Sequence, residues 1–129
     1  MKIYGSGIDI VNIKRLNTIL KNNKQFMKRI FSENEIKDCY KKKEKIACLA
    51  KRFSAKEAFS KSLGTGISKG LIFKEIEIIK DSLGKPILNI KGNSLKIVQK
   101  ILKKKKFNTF LSISDDKPYA VASVILTHE

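Results

Sequence analysis

The chain has 129 residues, enough for one domain built on one hydrophobic core. Its formal charge of +16 favours acidic or phosphorylated partners: nucleic acid, phosphorylated small molecules, acidic proteins or acidic membranes. The single histidine, His128, lies beside the C-terminus and excludes a histidine-ligated zinc site and a Ser/His/Asp triad, and the longest apolar stretch, Tyr119 to Leu126, falls well short of the ~20 residues of a membrane span.

A strand is predicted from Lys2 to Ile10, with Ile3, Gly5, Gly7 and Asp9 on one face. Two glycines ahead of an acid leave room for another backbone or a ligand. Asn12 suits the cap of a helix carrying Ile13, Leu16, Ile19 and Leu20. Asn22 and Asn23 interrupt it before a short piece with Phe26, Met27, Ile30 and Phe31. Ser32-Glu33-Asn34-Glu35 fits a capping box, so a helix with Ile36, Cys39 and Tyr40 starts there. A long helix follows from Lys45 to Leu63 and stops at Gly64. Phe73 to Lys80 reads as a strand with Ile76 and Ile78 on one face. Leu83-Gly84-Lys85-Pro86 turns it into a return strand from Ile87 to Lys91. Asn93 is the expected cap of a helix with Leu95, Ile97, Val98, Ile101 and Leu102, ended by Lys103 to Lys106. Strands Thr109 to Ser114 and Tyr119 to Thr127 form a hairpin about Asp115-Asp116-Lys117-Pro118. The order predicts a single α+β domain over residues 1–129, with a largely antiparallel sheet packed against helices.

Cys39 and Cys48 have neither metal-type spacing nor a disulfide framework around them, so free thiols in a reducing cytosol are expected. The N-terminus has no signal-peptide core, and a soluble cytoplasmic protein is expected. Part of the positive charge has a bland source. Apart from Arg15, Arg29 and Arg52 the basic residues are lysines, and Ile and Asn abound, as an A/T-biased genome produces.

One position in the long helix is out of place. Its apolar stripe runs Ile46, Leu49, Ala50, Phe53, and at ~3.6 residues per turn the next member is Glu57, with Lys61 a turn beyond. An inward carboxylate is costly unless a cation or metal compensates it. Asp9, at the end of the glycine-bearing strand face, is the candidate to share a metal with it. Solvated helix glutamates and turn-forming aspartates are the plain alternatives.

Taken in order, several segments resemble the holo-acyl-carrier-protein synthases, the small 4'-phosphopantetheinyl transferases. They are Gly7-Ile8-Asp9-Ile10-Val11 with Arg15, the run from Lys51 to Lys61 (KRFSAKEAFSK) with Gly64-Thr65-Gly66, Gly84-Lys85-Pro86, and Ser112-Ile113-Ser114 with Tyr119-Ala120. The resemblance spans essentially the whole chain. It implies transfer of the phosphopantetheine arm of coenzyme A to a serine of apo acyl-carrier protein, leaving adenosine 3',5'-bisphosphate. It also implies Mg²⁺ on Asp9 and Glu57, and a homotrimer with the coenzyme in clefts between subunits. Catalysis would rest on Asp9, Glu57 and Lys61, with Lys61 reaching the same phosphates as a point charge.

Arg52 and Lys56 lie elsewhere around that helix, where a coenzyme phosphate and bulk water are the alternatives. Ser60 offers a hydroxyl to phosphate or to metal-bound water. Gly64 and Thr65 let backbone N–H groups approach the nucleotide or merely end the helix. The acidic carrier protein would meet Arg15, Phe26 and Arg29, within a region that also offers Lys14, Lys21, Lys24, Lys28 and Met27. Charge pairing there sets encounter and orientation. Phe26 fits the core equally well. Asp115 stands where many of these relatives carry histidine, so imidazole chemistry does not transfer and the base is unassigned. A nucleic-acid-binding α+β domain and a silent scaffold for acidic proteins are the competing readings. Neither accounts for Asp9 and Glu57, and no stacking aromatic run supports nucleic acid.

Overall fold

A computed structural model describes residues 1–65 and 70–129. In chain order the elements are β1 (Lys2–Asn12), α1 (Ile13–Asn22), α2 (Lys24–Ile30), α3 (Glu33–Tyr40) and α4 (Lys45–Ser62). A 3₁₀ turn (Phe73–Glu75), β2 (Ile76–Lys80), β3 (Pro86–Ile90), α5 (Gly92–Leu102), β4 (Phe107–Asp116) and β5 (Tyr119–His128) complete them. The fold is α+β, as expected. The strands form two antiparallel sheets, a three-stranded one in the order β1-β5-β4 and a two-stranded β2-β3 hairpin.

The local punctuation follows the sequence. Asn12 Oδ1 accepts from the Arg15 amide, and Asn23 Oδ1 from the Phe26 amide, capping α1 and α2. Ser32 and Glu35 complete their capping box. Gly64 ends the long helix at φ +82°, and Gly84 turns the hairpin at φ +83°.

Three expectations need correction. Asn93 does not cap α5. Its amide donates to Glu75, and the Ser94 amide and hydroxyl donate there as well, so the cap is a carboxylate supplied from the 3₁₀ turn. Burial pushes the Glu75 carboxyl up, but these Ser94 and Asn93 donors outweigh it and hold it below the usual range. Glu77, on the strand face opposite to Ile76 and Ile78, is buried rather than solvated as one-sided alternation implies. Its carboxylate accepts from Ser32 Oγ at 2.6 Å and Lys91 Nζ at 3.2 Å. The cysteines are not free: Cys39 and Cys48 form a disulfide between α3 and α4, with Cα atoms 5.5 Å apart. The turn between the helices folds back and brings together positions whose spacing alone suggested no pairing.

Helix α4 is the axis of the molecule. One side packs on the inner face of the large sheet and on α5, through Ala55, Phe59, Val124, Leu126 and Val98. The other packs under α1 and α3 through Leu49, Ala50, Leu16, Leu20 and Phe31. Most of its residues are therefore buried, including Lys56, Ser54 and Ser60.

Candidate active site

The site begins with a stripe on α4: Ser54, Glu57, Ala58, Lys61 and Ser62 recur every three or four residues and face β1. The strand approaches them backbone to backbone. A Cβ built on Gly7 would collide with the Ala58 carbonyl oxygen, and one on Gly5 with that of Ser62. Only glycine permits this contact. The space that the glycines leave is thus filled by the helix carrying Glu57. Ser54 Oγ donates to the Asp9 carbonyl at 2.8 Å, and Lys61 Nζ donates to the Ile8 carbonyl at 3.0 Å. Strand and helix are held in register at the point where the acid emerges.

Asp9, Glu57 and Lys61 come together as a result. Lys61 Nζ lies 3.1 Å from Asp9 Oδ1. Burial pushes the Glu57 carboxyl above its usual range, the Asp9 carboxylate pushes it further, and Lys61 opposes both. A carboxyl pushed up by burial and by a neighbouring carboxylate favours a cation between the two. Both line one cavity of about 270 Å³, walled also by Asn12, Arg15, Ile19 and Phe53. Glu57 is half-buried at its edge rather than inside the core. Arg15 and Ile19 place the exposed side of α1 beside the two acids. Phe26 is half-buried against the core, its ring 6.2 Å from that of Phe53, and is not among the residues lining this cavity. Arg29 is exposed on α2 and is not among the residues lining this cavity.

The remaining predicted residues fall elsewhere. Lys56 is fully buried, and its ammonium donates to Glu35 at 2.7 Å and to the Phe73 and Ile76 carbonyls at 2.8 and 2.7 Å. Its donors are spent inside the protein, and it lies on a different side of the helix from the stripe facing β1. Ser60 is likewise buried, its Oγ donating to the Glu57 carbonyl a turn back at 2.8 Å. That hydroxyl is satisfied by the helix itself and is not offered to a ligand. Gly64 is exposed and Thr65 half-buried at the end of α4, while Gly66 of the same motif lies outside the described residues.

Arg52 lies on the far side of α4 from Asp9. It pairs with Asp38 at 2.9 Å, and its hydrogen bond holds that carboxyl low. It also lines a second cavity, of about 560 Å³, with Lys42, Lys51, Lys80, Glu44 and Asp115. Lys80 is pushed down by the neighbouring Lys42 ammonium, the mark of cations crowded without enough anions. Asp115 sits on the inner sheet face and pairs with Lys51 at 3.1 Å. This cationic cavity was not anticipated, since Lys42, Lys51 and Lys80 look like any other lysines of a lysine-rich chain. Ser54 was missed for a similar reason: a serine in a helix has no signature until its partner carbonyl is known.

Residues 5–124 match the 4'-phosphopantetheinyl transferase superfamily. The chain is 51% identical over 126 residues to a holo-[acyl-carrier-protein] synthase of Pelagibacter ubique, covering 98% of each. The fold superposes with TM-score 0.81 and 37% identity on the holo-(acyl-carrier-protein) synthase of Bacillus anthracis, solved in complex with CoA (3',5'-ADP), covering 100% of both chains. It superposes with TM-score 0.84 and 35% identity on that of Neisseria meningitidis, covering 98% of this chain and 99% of the other. With its glycine-packed strand, paired acids and full-length likeness, the chain belongs to the 4'-phosphopantetheinyl transferase superfamily and is an enzyme of the holo-[acyl-carrier-protein] synthase type.

Proposed function

We propose that this enzyme moves the 4'-phosphopantetheine group of coenzyme A onto a serine of apo acyl-carrier protein, with Mg²⁺ bound at Asp9 and Glu57. The observation that carries the reading is the cavity shared by those two acids, with Lys61 beside Asp9. Among the described residues no group of three or more His, Cys, Asp or Glu side chains could hold a metal. Two carboxylates suit Mg²⁺, which completes its shell with waters and phosphate oxygens. When bound, the ion would supply neutralisation of charge on the phosphoryl oxygens.

The chain's own residues do the rest. Lys61 meets the coenzyme's pyrophosphate. The carrier serine oxygen forms a new P–O bond at the phosphorus bearing the pantetheine. The P–O bond to the nucleotide phosphate breaks, and adenosine 3',5'-bisphosphate leaves with the electron pair. The serine proton passes to Glu57 or to a water beside it, since Glu57 makes no ion pair among the described residues. Arg15 and Ile19, on the wall of the same cavity, present a basic and an apolar contact to the acidic carrier.

The reading includes a cytoplasmic homotrimer serving fatty acid synthesis. The outer face of the large sheet supports assembly. It exposes Ile8 (65%), Ile10 (63%), Phe110 (49%) and Ile125 (40%), an apolar patch suited to copies of itself. In such an assembly the cationic cavity at Arg52, remote from Asp9 within one chain, would meet coenzyme phosphates held by a neighbour. The test is direct. Purified protein, coenzyme A, Mg²⁺ and apo carrier protein are incubated, and the carrier is weighed by mass spectrometry. A gain of one phosphopantetheine per carrier is expected, and an unchanged mass with folded enzyme rejects the reading.

A further inference from the structure

A third cavity lies on the side of α1 away from Asp9 and shares no residue with the site. It has a volume of about 630 Å³, within the ~300–1,000 Å³ usual for small-molecule sites. Leu20, Met27, Ile36 and Ile46 line it with the Tyr40 ring, and Lys21, Lys24 and Lys28 stand at its α1–α2 rim. No acid lines it. Among the described residues those three lysines form no ion pair. Lys45 adds a fourth cation, 5.2 Å above the Tyr40 ring. Among the described residues the Tyr40 hydroxyl meets the Met27 sulfur at 3.9 Å, a weak acceptor that leaves the donor available.

We propose that this cavity binds a long-chain acyl carboxylate, its hydrocarbon tail on the floor and its head among Lys21, Lys24, Lys28 and the Tyr40 hydroxyl. Two features select this chemistry. The floor is sunk between helices rather than spread as a flat stripe, which suits a flexible chain better than a rigid surface. Every charged group at the mouth is positive, which selects an anionic head. A tail without charge leaves the lysines unused, and a charge without a tail leaves the apolar floor in water. Lys21, Lys24, Lys28 and Met27 lie in the region expected to meet the carrier, but the test is separate from the transferase reading, because binding is measured without coenzyme or carrier.

The test titrates the full chain with dodecanoate below its micellar concentration, by calorimetry and by the shift of the Met27 methyl resonance. One saturable site is expected, with the Met27 methyl moving in step with the heat. Dodecanol and butyrate, each lacking one half of the ligand, should bind about tenfold or more weakly. The pair Lys24→Glu/Lys28→Glu should lose binding by a similar factor, and Met27→Trp, which fills the floor, should abolish it; circular dichroism verifies the fold of each. Absence of saturable binding, equal binding by these variants, or a Met27 methyl that does not move would overturn the proposal. So would capture of an acidic amphipathic peptide by a chain that ignores dodecanoate.

Discussion

Replacing Lys56 with methionine tests whether this residue is a structural clamp or a ligand-binding cation. Lys56 is fully buried, and burial pushes its ammonium down from the ordinary lysine range while Glu35 pushes back. Three acceptors surround it: Glu35 and the carbonyls of Phe73 and Ile76. Methionine keeps most of the volume, so the cavity contribution is small. What is lost is the counter-ion of a fully buried carboxylate. Removing one partner of such a pair costs about 3–5 kcal/mol. Each orphaned carbonyl adds a part of the roughly 1–3 kcal/mol for a buried group without a partner. Glu35 offsets some of this, because it still accepts from the Ser32 and Ile78 amides. A net loss of about 4 kcal/mol is expected, a large share of the ~5–15 kcal/mol of a typical domain. Urea unfolding followed by circular dichroism measures it, and adding Glu35→Gln to Lys56→Met should recover part of the loss. A loss under about 1 kcal/mol, with a raised KM for coenzyme A, would refute the clamp and restore Lys56 as a substrate-binding residue.

Further predictions follow from the same geometry. Gly7→Ala sets a methyl against the Ala58 carbonyl, and backbone must move to admit it; about 1–3 kcal/mol of destabilisation and a lower kcat are expected, read by thermal unfolding and steady-state rates. Glu57→Gln should abolish turnover yet raise the melting temperature of the metal-free protein at pH 7. Burial and Asp9 raise the Glu57 pKa on folding, so its stability contribution is complete below the unfolded glutamate value and declines as pH rises through the folded one. The difference in melting temperature should therefore vanish in acid, and a neutral-pH loss of stability in Glu57→Gln would contradict this. Arg15→Glu should raise KM for the carrier by about tenfold and leave KM for coenzyme A nearly unchanged, as paired kinetic titrations report. Ile10→Glu puts a charge on the exposed sheet patch and should shift the mass by light scattering from that of the proposed trimer to that of a monomer.

Local features of the chain were legible because local physics decides them. Asn12 and the Ser32–Glu35 box cap their helices from within a few residues, and Gly64 and Gly84 adopt positive φ because no Cβ opposes it. The candidate pair Asp9 and Glu57 was also legible, from two glycines before one acid and an acid on an apolar helical stripe. Lys61, a turn beyond Glu57, was legible beside them, but the burial of Lys56 was not. Lys56 and Lys61 lie within one short run, yet one is sealed against Glu35 and the other stands beside Asp9. Helical rotation puts them on different sides of α4, and what each side meets is set by distant strands and helices. The same holds for Glu75 capping α5, for buried Glu77, for the Cys39–Cys48 bond and for the cations gathered around Arg52. A chain written alone carries propensities and periodicities, which act over a turn or two. The environment of a charge depends on groups far along the chain, and only packing brings those within the few ångströms over which a hydrogen bond or an ion pair acts.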